Sequence, residues 1–368
     1  MARPRLPFRT DHPRLMRGRE TLADLLHPGG IPTASEVQVA VPQVEVEVQG
    51  ALIDRLAERD VPLQGRLTLH GPLIRELAGV LTDAEEAQLL DVIGEGGRAH
   101  LDGAHPLDRR MVLIGYGLAR GLLDLEARTG LTAAMPPHDV HAMTHAEWAA
   151  GGDPWYADMI DGALAECGLS LSDGARVLDF GCSSGRVVRM LAARRPQSSW
   201  LGCDVNAAAI NWATGAIPEV EFTVQPLRPP LPYSDGSLDA AYAISIWSHY
   251  AEAPARVWLD ELHRVIRPGG LALITTHGPG AIAYRSNDPN HGEATQRQPL
   301  VDLYRSGFSF VDAFGEAGDW GVVDREWGVS FISPEWMLRE ITPQWSVALY
   351  RPAAIDAHQD LWVLRREA

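Results

Sequence analysis

The chain has 368 residues, room for two domains or one large domain with additions, and its 46% hydrophobic and 22% charged composition is that of an ordinary globular protein able to bury a sizeable core. A formal net charge of −16 argues against broad electrostatic binding of nucleic acid or of an anionic membrane. The chain contains Arg but no Lys, which excludes Schiff-base lysine chemistry and a phosphate-loop lysine, and its three cysteines, Cys167, Cys182 and Cys203, are too few and odd in number for a disulfide framework.

Cysteine usage points to a reducing compartment, and neither a signal-peptide core nor an apolar run of about 18 residues is present, so a cytoplasmic protein is expected. Met1 to Glu20 places six arginines among prolines without apolar periodicity and reads as a solvated arm. Val44, Val46 and Val48 alternate with Glu45 and Glu47, a half-buried strand started by Pro42. Thr82 with Glu85 forms a capping box for a helix to Ile93, stopped at Gly94. Leu107, Met111, Ile114, Leu118, Leu122 and Leu125 recur at steps of three and four and predict a helix from Pro106 to Thr129, closed by Gly130, with Gly117 and Gly121 on one face for a close helix neighbour. Residues 1–135 are therefore expected to form a mainly helical accessory or lid region, with structural cover, dimerisation or acceptor binding as its roles.

Ala133 to Pro137 reads as a linker. His138, His141 and His145 then share a helical face, but without a clear fourth ligand or a Cys partner no metal is assigned to them. Asp153-Pro154 caps a helix running to Cys167, with Gly168 behind it.

The segment Arg176 to Arg186 organises the rest of the chain. Val177, Leu178 and Phe180 form the apolar run of a buried parallel strand, and Gly181, Ser183 and Gly185 make a small-residue turn into a helix, where a ligand can lie against the backbone. Asp179 would repel a pyrophosphate but attract an ammonium or hydroxyl groups, so the loop suits a zwitterion better than a phosphate. Strand and helix then alternate: Trp200 to Val205, Ala207 to Gly215, Val220 to Gln225, Ala240 to Ser245, Ala255 to Ile266, and Leu271 to His277 after the Pro268-Gly269-Gly270 turn. Asp204, about 20 residues beyond Gly185 at the tip of the second strand, is placed to accept both ribose hydroxyls of an adenosine, a role that serves NAD and S-adenosylmethionine equally. Residues 278–333, rich in Gly and aromatics, are expected to be an irregular active-site cover. Pro334 to Ile341 is a short helix, and Trp345 to Tyr350 with Gln359 to Arg365 form a closing antiparallel hairpin.

Val177 to Gly185 resembles the first motif of class I S-adenosylmethionine-dependent methyltransferases, with Ser183 where the pattern has its second glycine, and the later motifs follow in order over roughly Pro136 to the C-terminus. The resemblance implies a doubly wound, mostly parallel seven-stranded α/β sheet with a terminal antiparallel hairpin over residues 136–368. It implies S-adenosylmethionine as cofactor, held by Asp179, Gly181, Cys182, Ser183, Gly185, Asp204, Val205, Leu227 and Ser245, with no metal. Leu227 stands where the family usually has an acid for the adenine amino group, a departure that leaves adenine recognition to backbone groups. His249 matches the family's histidine after the fourth strand; it is the catalytic candidate, and whether it acts as base or only packs and orients stays open. His277 is a second candidate base, while Tyr284, Arg285, His291, Trp247, Trp320 and Trp327 are candidates for contacting an acceptor.

The expected activity is methyl transfer to a small-molecule acceptor, at a hydroxyl oxygen, in natural-product or sugar tailoring, by a protein that binds neither nucleic acid nor membrane and can form a homodimer. A nicotinamide-dependent oxidoreductase and a non-catalytic cofactor-binding scaffold are the alternatives. The Gly-x-Ser-x-Gly arrangement and Asp179 weigh against the first, and Ser183 and Leu227 sustain the second.

Overall fold

A computed structural model describes residues 70–137, 140, 151–286, 292–319, 323–355 and 359–368. The arginine-rich arm, the strand at Val44 to Val48, the three histidines His138, His141 and His145, and also His291 and Trp320 lie outside the described residues.

The described N-terminal residues form four helices, α1 (Pro72–Ala78), α2 (Asp83–Leu101), α3 (Pro106–Ala119) and α4 (Leu125–Thr129). Thr82 and Glu85 form the reciprocal capping box, but α2 passes through Gly94 with a kink (φ 74°) instead of ending there. The single helix expected from Pro106 to Thr129 is two. Gly121, Leu123 and Asp124 adopt φ of 62°, 57° and 52°, which turns the chain between α3 and α4. Gly117 is packed tightly, since a Cβ there would lie 2.5 Å from Leu125 Cδ1, whereas a Cβ on Gly121 would meet nothing within 4 Å. Gly121 therefore serves the turn and not a helix contact.

The next helix, α5 (Pro154–Glu166), begins at the Asp153 cap as its sequence predicts. It also holds the N-terminal helices in place. The Asp158 carboxylate, 4% exposed, accepts hydrogen bonds from the backbone N–H groups of Gly71, Leu73 and Ile74 and so caps α1 from outside. Asp161 and Glu76 share Arg195, a second tie between α1, α5 and the segment after α6 (Val188–Arg194).

The sheet contains β1 (Arg176–Phe180), β2 (Ser199–Asp204), β3 (Val220–Val224), β4 (Leu238–Ala243), β5 (Ile266–Thr276), β8 (Trp345–Ile355) and β9 (Gln359–Arg366), in the order β3-β2-β1-β4-β5-β9-β8. The first five strands are parallel; β9 inserts antiparallel beside β5, and β8 forms the outer edge. Helices α7 (Ala207–Ala216) and α8 (Glu252–Val265) complete the crossovers. Alternate residues feed two cores: Val177, Ala240, Leu271 and Val363 pack toward the N-terminal helices, α5 and α6, and Leu178, Ala241, Ala272 and Leu364 pack toward α8 and α11 (Pro334–Ile341).

The cover is not irregular. It contains α9 (Pro279–Ser286), α10 (Gly292–Ser306) and a two-stranded antiparallel sheet of β6 (Phe308–Val311) and β7 (Val329–Ile332). The β7 segment lies along the tips of β4 and β5: the N–H groups of Gly328, Ser330 and Ile332 donate to the carbonyls of His249, Ser248 and His277, each at 2.8 Å.

Replacing Asp158 by Ala leaves three N–H groups at a buried helix start without their acceptor. We expect Asp158→Ala to lower unfolding stability by about 1–3 kcal/mol, measured by urea denaturation.

Candidate active site

The pocket opens at the carboxyl ends of β1 to β4, where strand order reverses on either side of β1. Gly181 (φ 81°) starts the loop after β1, and a Cβ there would fall 2.2 Å from Ile246 Cδ1, so both conformation and space demand glycine. The N–H groups of Gly181 and Cys182 donate to the Cys203 carbonyl, which ties the β1 loop to β2. Ser183 holds a left-handed conformation (φ 49°) where the family pattern has glycine, and its N–H donates to Asp204 Oδ2 at 2.8 Å. That bond gives the residue a reason to keep a costly backbone.

Asp204 Oδ1 accepts from the Asn206 N–H at 2.8 Å. With these backbone donors engaged, the carboxylate keeps lone pairs for two further hydroxyl groups. Asp179 is the cross-strand partner of Tyr242 on β4 and is 4% exposed. Burial pushes its carboxyl up to about 7, offset in part by the Tyr242 hydroxyl and the Arg186 guanidinium. Burial raises Asp204 as well, against the N–H groups of Asn206, Ser183 and Val205.

Of the residues named from the sequence, Asp179, Gly181, Cys182, Ser183, Asp204, Val205, Leu227, Ser245, His249 and Trp327 line this one pocket. Gly185 does not. It (φ 76°) packs under the loop against Ile217 and Phe222, and the helix starts only at Val188. Leu227 is 45% exposed in the pocket wall. Gln225, not among the residues expected from the sequence, also lines the wall; its Oε1 accepts from Cys203 Sγ at 2.9 Å, leaving the amide NH₂ as a donor there. A polar residue at the tip of β3 is the signal that marks it. Ser245 (φ 60°) is held by Thr275 Oγ1, which accepts its N–H at 2.7 Å, and by Gln359, which donates to its hydroxyl at 2.6 Å.

The His249 ring stacks on Trp327 with centroids 4.8 Å apart, and its Nδ1 lies 2.7 Å from the Gly328 carbonyl. A carbonyl only accepts, so Nδ1 carries the proton and Nε2 the lone pair. Burial lowers the pKa of His249, overriding the Gly328 hydrogen bond, so the ring is neutral at pH 7. His277 is corrected as a candidate base: it is 3% exposed, has Nδ1 against the Ser330 carbonyl at 3.1 Å, and does not line the pocket. Trp247 is fully buried core, Arg285 packs over the Phe331 ring, and Tyr284 falls within α9. The cover contributes Asp319, Asp324, Glu326 and Trp327, and Arg228 bridges from the loop after β3 to Asp324 and Glu326. Those acids have no signal in the sequence, because nothing local marks a loop acid as facing a distant strand tip.

Residues 177–270 match the family model of a methyltransferase domain. Over this stretch the chain resembles an S-adenosylmethionine-dependent methyltransferase domain. Over the matched stretches the chain is 35% identical to a trans-aconitate 2-methyltransferase of Azoarcus, covering 29% of this chain and 40% of that protein. It is 31% identical to a fatty-acid O-methyltransferase of Mycolicibacterium smegmatis, covering 38% and 48%. The chain thus spans about half or less of the length of these curated relatives. A solved S-adenosylmethionine-dependent methyltransferase from Mesorhizobium loti aligns with 56% of this chain and 96% of its own at 19% identity and a TM-score of 0.38.

The methyltransferase cofactor, S-adenosylmethionine, is cationic at sulfur and at its ammonium, and the donor set fits it: two buried carboxylates and a loop whose Gly181 lacks a Cβ. An Asp179 that pairs with the ammonium must be ionised, and such binding would release its proton. S-adenosylhomocysteine affinity should fall as pH drops through about 7, by up to about tenfold per pH unit, and Asp179→Asn should flatten most of that dependence in calorimetric titrations.

Proposed function

We propose that the protein transfers a methyl group from S-adenosylmethionine to a hydroxyl oxygen of a small molecule, in natural-product or sugar tailoring. The observation that carries the oxygen assignment is His249: neutral, Nδ1 spent on the Gly328 carbonyl, and Nε2 left with its lone pair on a ring that lines the pocket. A hydroxyl nucleophile must lose a proton, and a neutral imidazole fixed in this tautomer can take it. The name of the fatty-acid relative, an O-methyltransferase, supports the same atom. The cover supports a small acceptor, because the Arg228 bridge to Asp324 and Glu326 and the run from Trp327 into β7 narrow the pocket around His249.

The cofactor supplies an activated methyl group on a good leaving group; the protein's part is to bind, align and exclude water. Asp204 would accept the ribose hydroxyls, Asp179 the ammonium group, and the Gly181–Ser183 loop would lie along the amino-acid portion. Leu227 and Ile246 keep the walls apolar, and His249 Nε2 accepts the acceptor's proton.

Two measurements test the reading. S-adenosylhomocysteine should bind the wild type in preference to NAD, and Asp204→Ala should abolish that binding; preference for NAD would sink the methyltransferase assignment. His249→Ala should lower kcat about 10²–10³-fold while leaving S-adenosylhomocysteine affinity nearly unchanged. At saturating cofactor, which removes the Asp179 dependence of binding, the wild-type kcat should rise with pH through a value below 6.5 and level off above it, since the neutral ring is the active form. Persistence of that limb in His249→Ala would assign the proton to another group.

A further inference from the structure

The pocket's charge is lopsided in a way the cofactor does not use up. Its described lining holds five carboxylates, Asp179, Asp204, Asp319, Asp324 and Glu326, and two guanidiniums, Arg186 and Arg228. Arg186 is engaged by Asp153, outside the lining, and lies 5.3 Å from the Tyr156 ring centroid. Arg228 is shared between Asp324 and Glu326, so one of those two negative charges is left over. Asp319 adds another; its Oδ2 accepts from Trp327 Nε1 at 3.3 Å, a neutral donor that orients the carboxylate without cancelling its charge. Asp179 and Asp204 are the groups suited to the cofactor's ammonium and ribose. Of the cover acids, Asp319 is the one whose charge acts on His249, on the side left for the acceptor, while Asp324 and Glu326 lie further along the wall with Arg228.

Arg285 is the described cation that acts on His249 from this direction, but it packs 5.6 Å from the Phe331 ring centroid and does not line the pocket. Trp327, Tyr250 and the His249 ring fill the space around the acids with aromatic surface: Trp327 meets Tyr250 edge-on at 5.3 Å and His249 face-on at 4.8 Å. Half-buried carboxylates against such walls are screened less than surface ones, so their field extends further into the pocket.

We propose that the acceptor is a cation: a small hydroxy compound bearing an ammonium group, its charge held by Asp319 with Asp324 and Glu326, its hydroxyl presented to His249. The inference rests on the proposed transfer to oxygen and names its substrate class. It also separates this pocket from ones that take acids such as the trans-aconitate and fatty acids for which two relatives are named, because both guanidiniums in the described pocket lining, Arg186 and Arg228, are already paired with carboxylates.

Three phenols with the same hydroxyl and different tails provide the test: tyramine (cationic), para-ethylphenol (neutral) and para-hydroxyphenylpropionate (anionic). Each is titrated calorimetrically into the protein already saturated with S-adenosylhomocysteine. Tyramine should bind at least about tenfold more tightly than para-ethylphenol, roughly 1.4 kcal/mol, with the anion weakest. Asp319→Asn, and separately Glu326→Gln on the more exposed rim, should remove most of that advantage while leaving para-ethylphenol unchanged. Equal affinities, tighter binding of the anion, or no saturable binding of tyramine would overturn the charge assignment. The preceding S-adenosylhomocysteine titration keeps the two readings distinct: failure there removes the methyltransferase reading and this inference with it, whereas success there with the wrong charge order removes this inference alone.

Discussion

Everything in this molecule depends on β1 being hydrogen-bonded on both sides, to β2 and to β4. The crossovers on its two sides pack against opposite faces of the sheet, so a gap must remain at its carboxyl end. The loop closing β1 donates to the Cys203 carbonyl at the end of β2, and its Ser183 N–H donates to Asp204, the next residue. This row of donors from one loop to one strand end gives the gap its shape before any ligand arrives. Burial then shifts the acids upward, and the same burial keeps His249 neutral.

The sheet was legible from the sequence because its strands are short apolar runs ended by glycine, proline or acid, signals that act within a few residues. The Asp153-Pro154 cap and the Thr82 capping box were legible for the same reason. The N-terminal helices were less so. The leucine spacing runs unbroken through the turn at Gly121 to Asp124, since a left-handed Leu123 leaves no mark on a hydrophobic pattern. The cover reads as irregular in sequence because β6 and β7 are four residues each and gain their register from one another and from the tips of β4 and β5. The site divides along the same line. Residues at strand tips carry a local signal; Asp319, Asp324, Glu326 and the bridging Arg228 carry none, because the path of the chain brings them together and not its local pattern.

The β7 segment has two duties that constrain each other. Its N–H groups hold the carbonyls of Ser248, His249 and His277, while the Gly328 carbonyl fixes the His249 tautomer. A shift of register there would move the pocket roof and release the imidazole proton at once. This coupling accounts for Gly328: a Cβ would come within 2.2 Å of the Val311 carbonyl oxygen on β6, so the strand pair leaves room only for glycine beside the histidine.

The external cap on α1 bears on how the chain is made. The first turn of α1 takes its acceptor, Asp158, from 84 to 87 residues further along, and Arg195, which grips Glu76, comes 119 residues after it. During vectorial synthesis the early helices emerge well before either partner exists, and among the described residues their apolar faces, including Leu73, Ile74 and Leu77, then have only one another to cover them. Completion of this part of the molecule waits for α5 and for the stretch after α6, so the order of assembly runs against the order of translation.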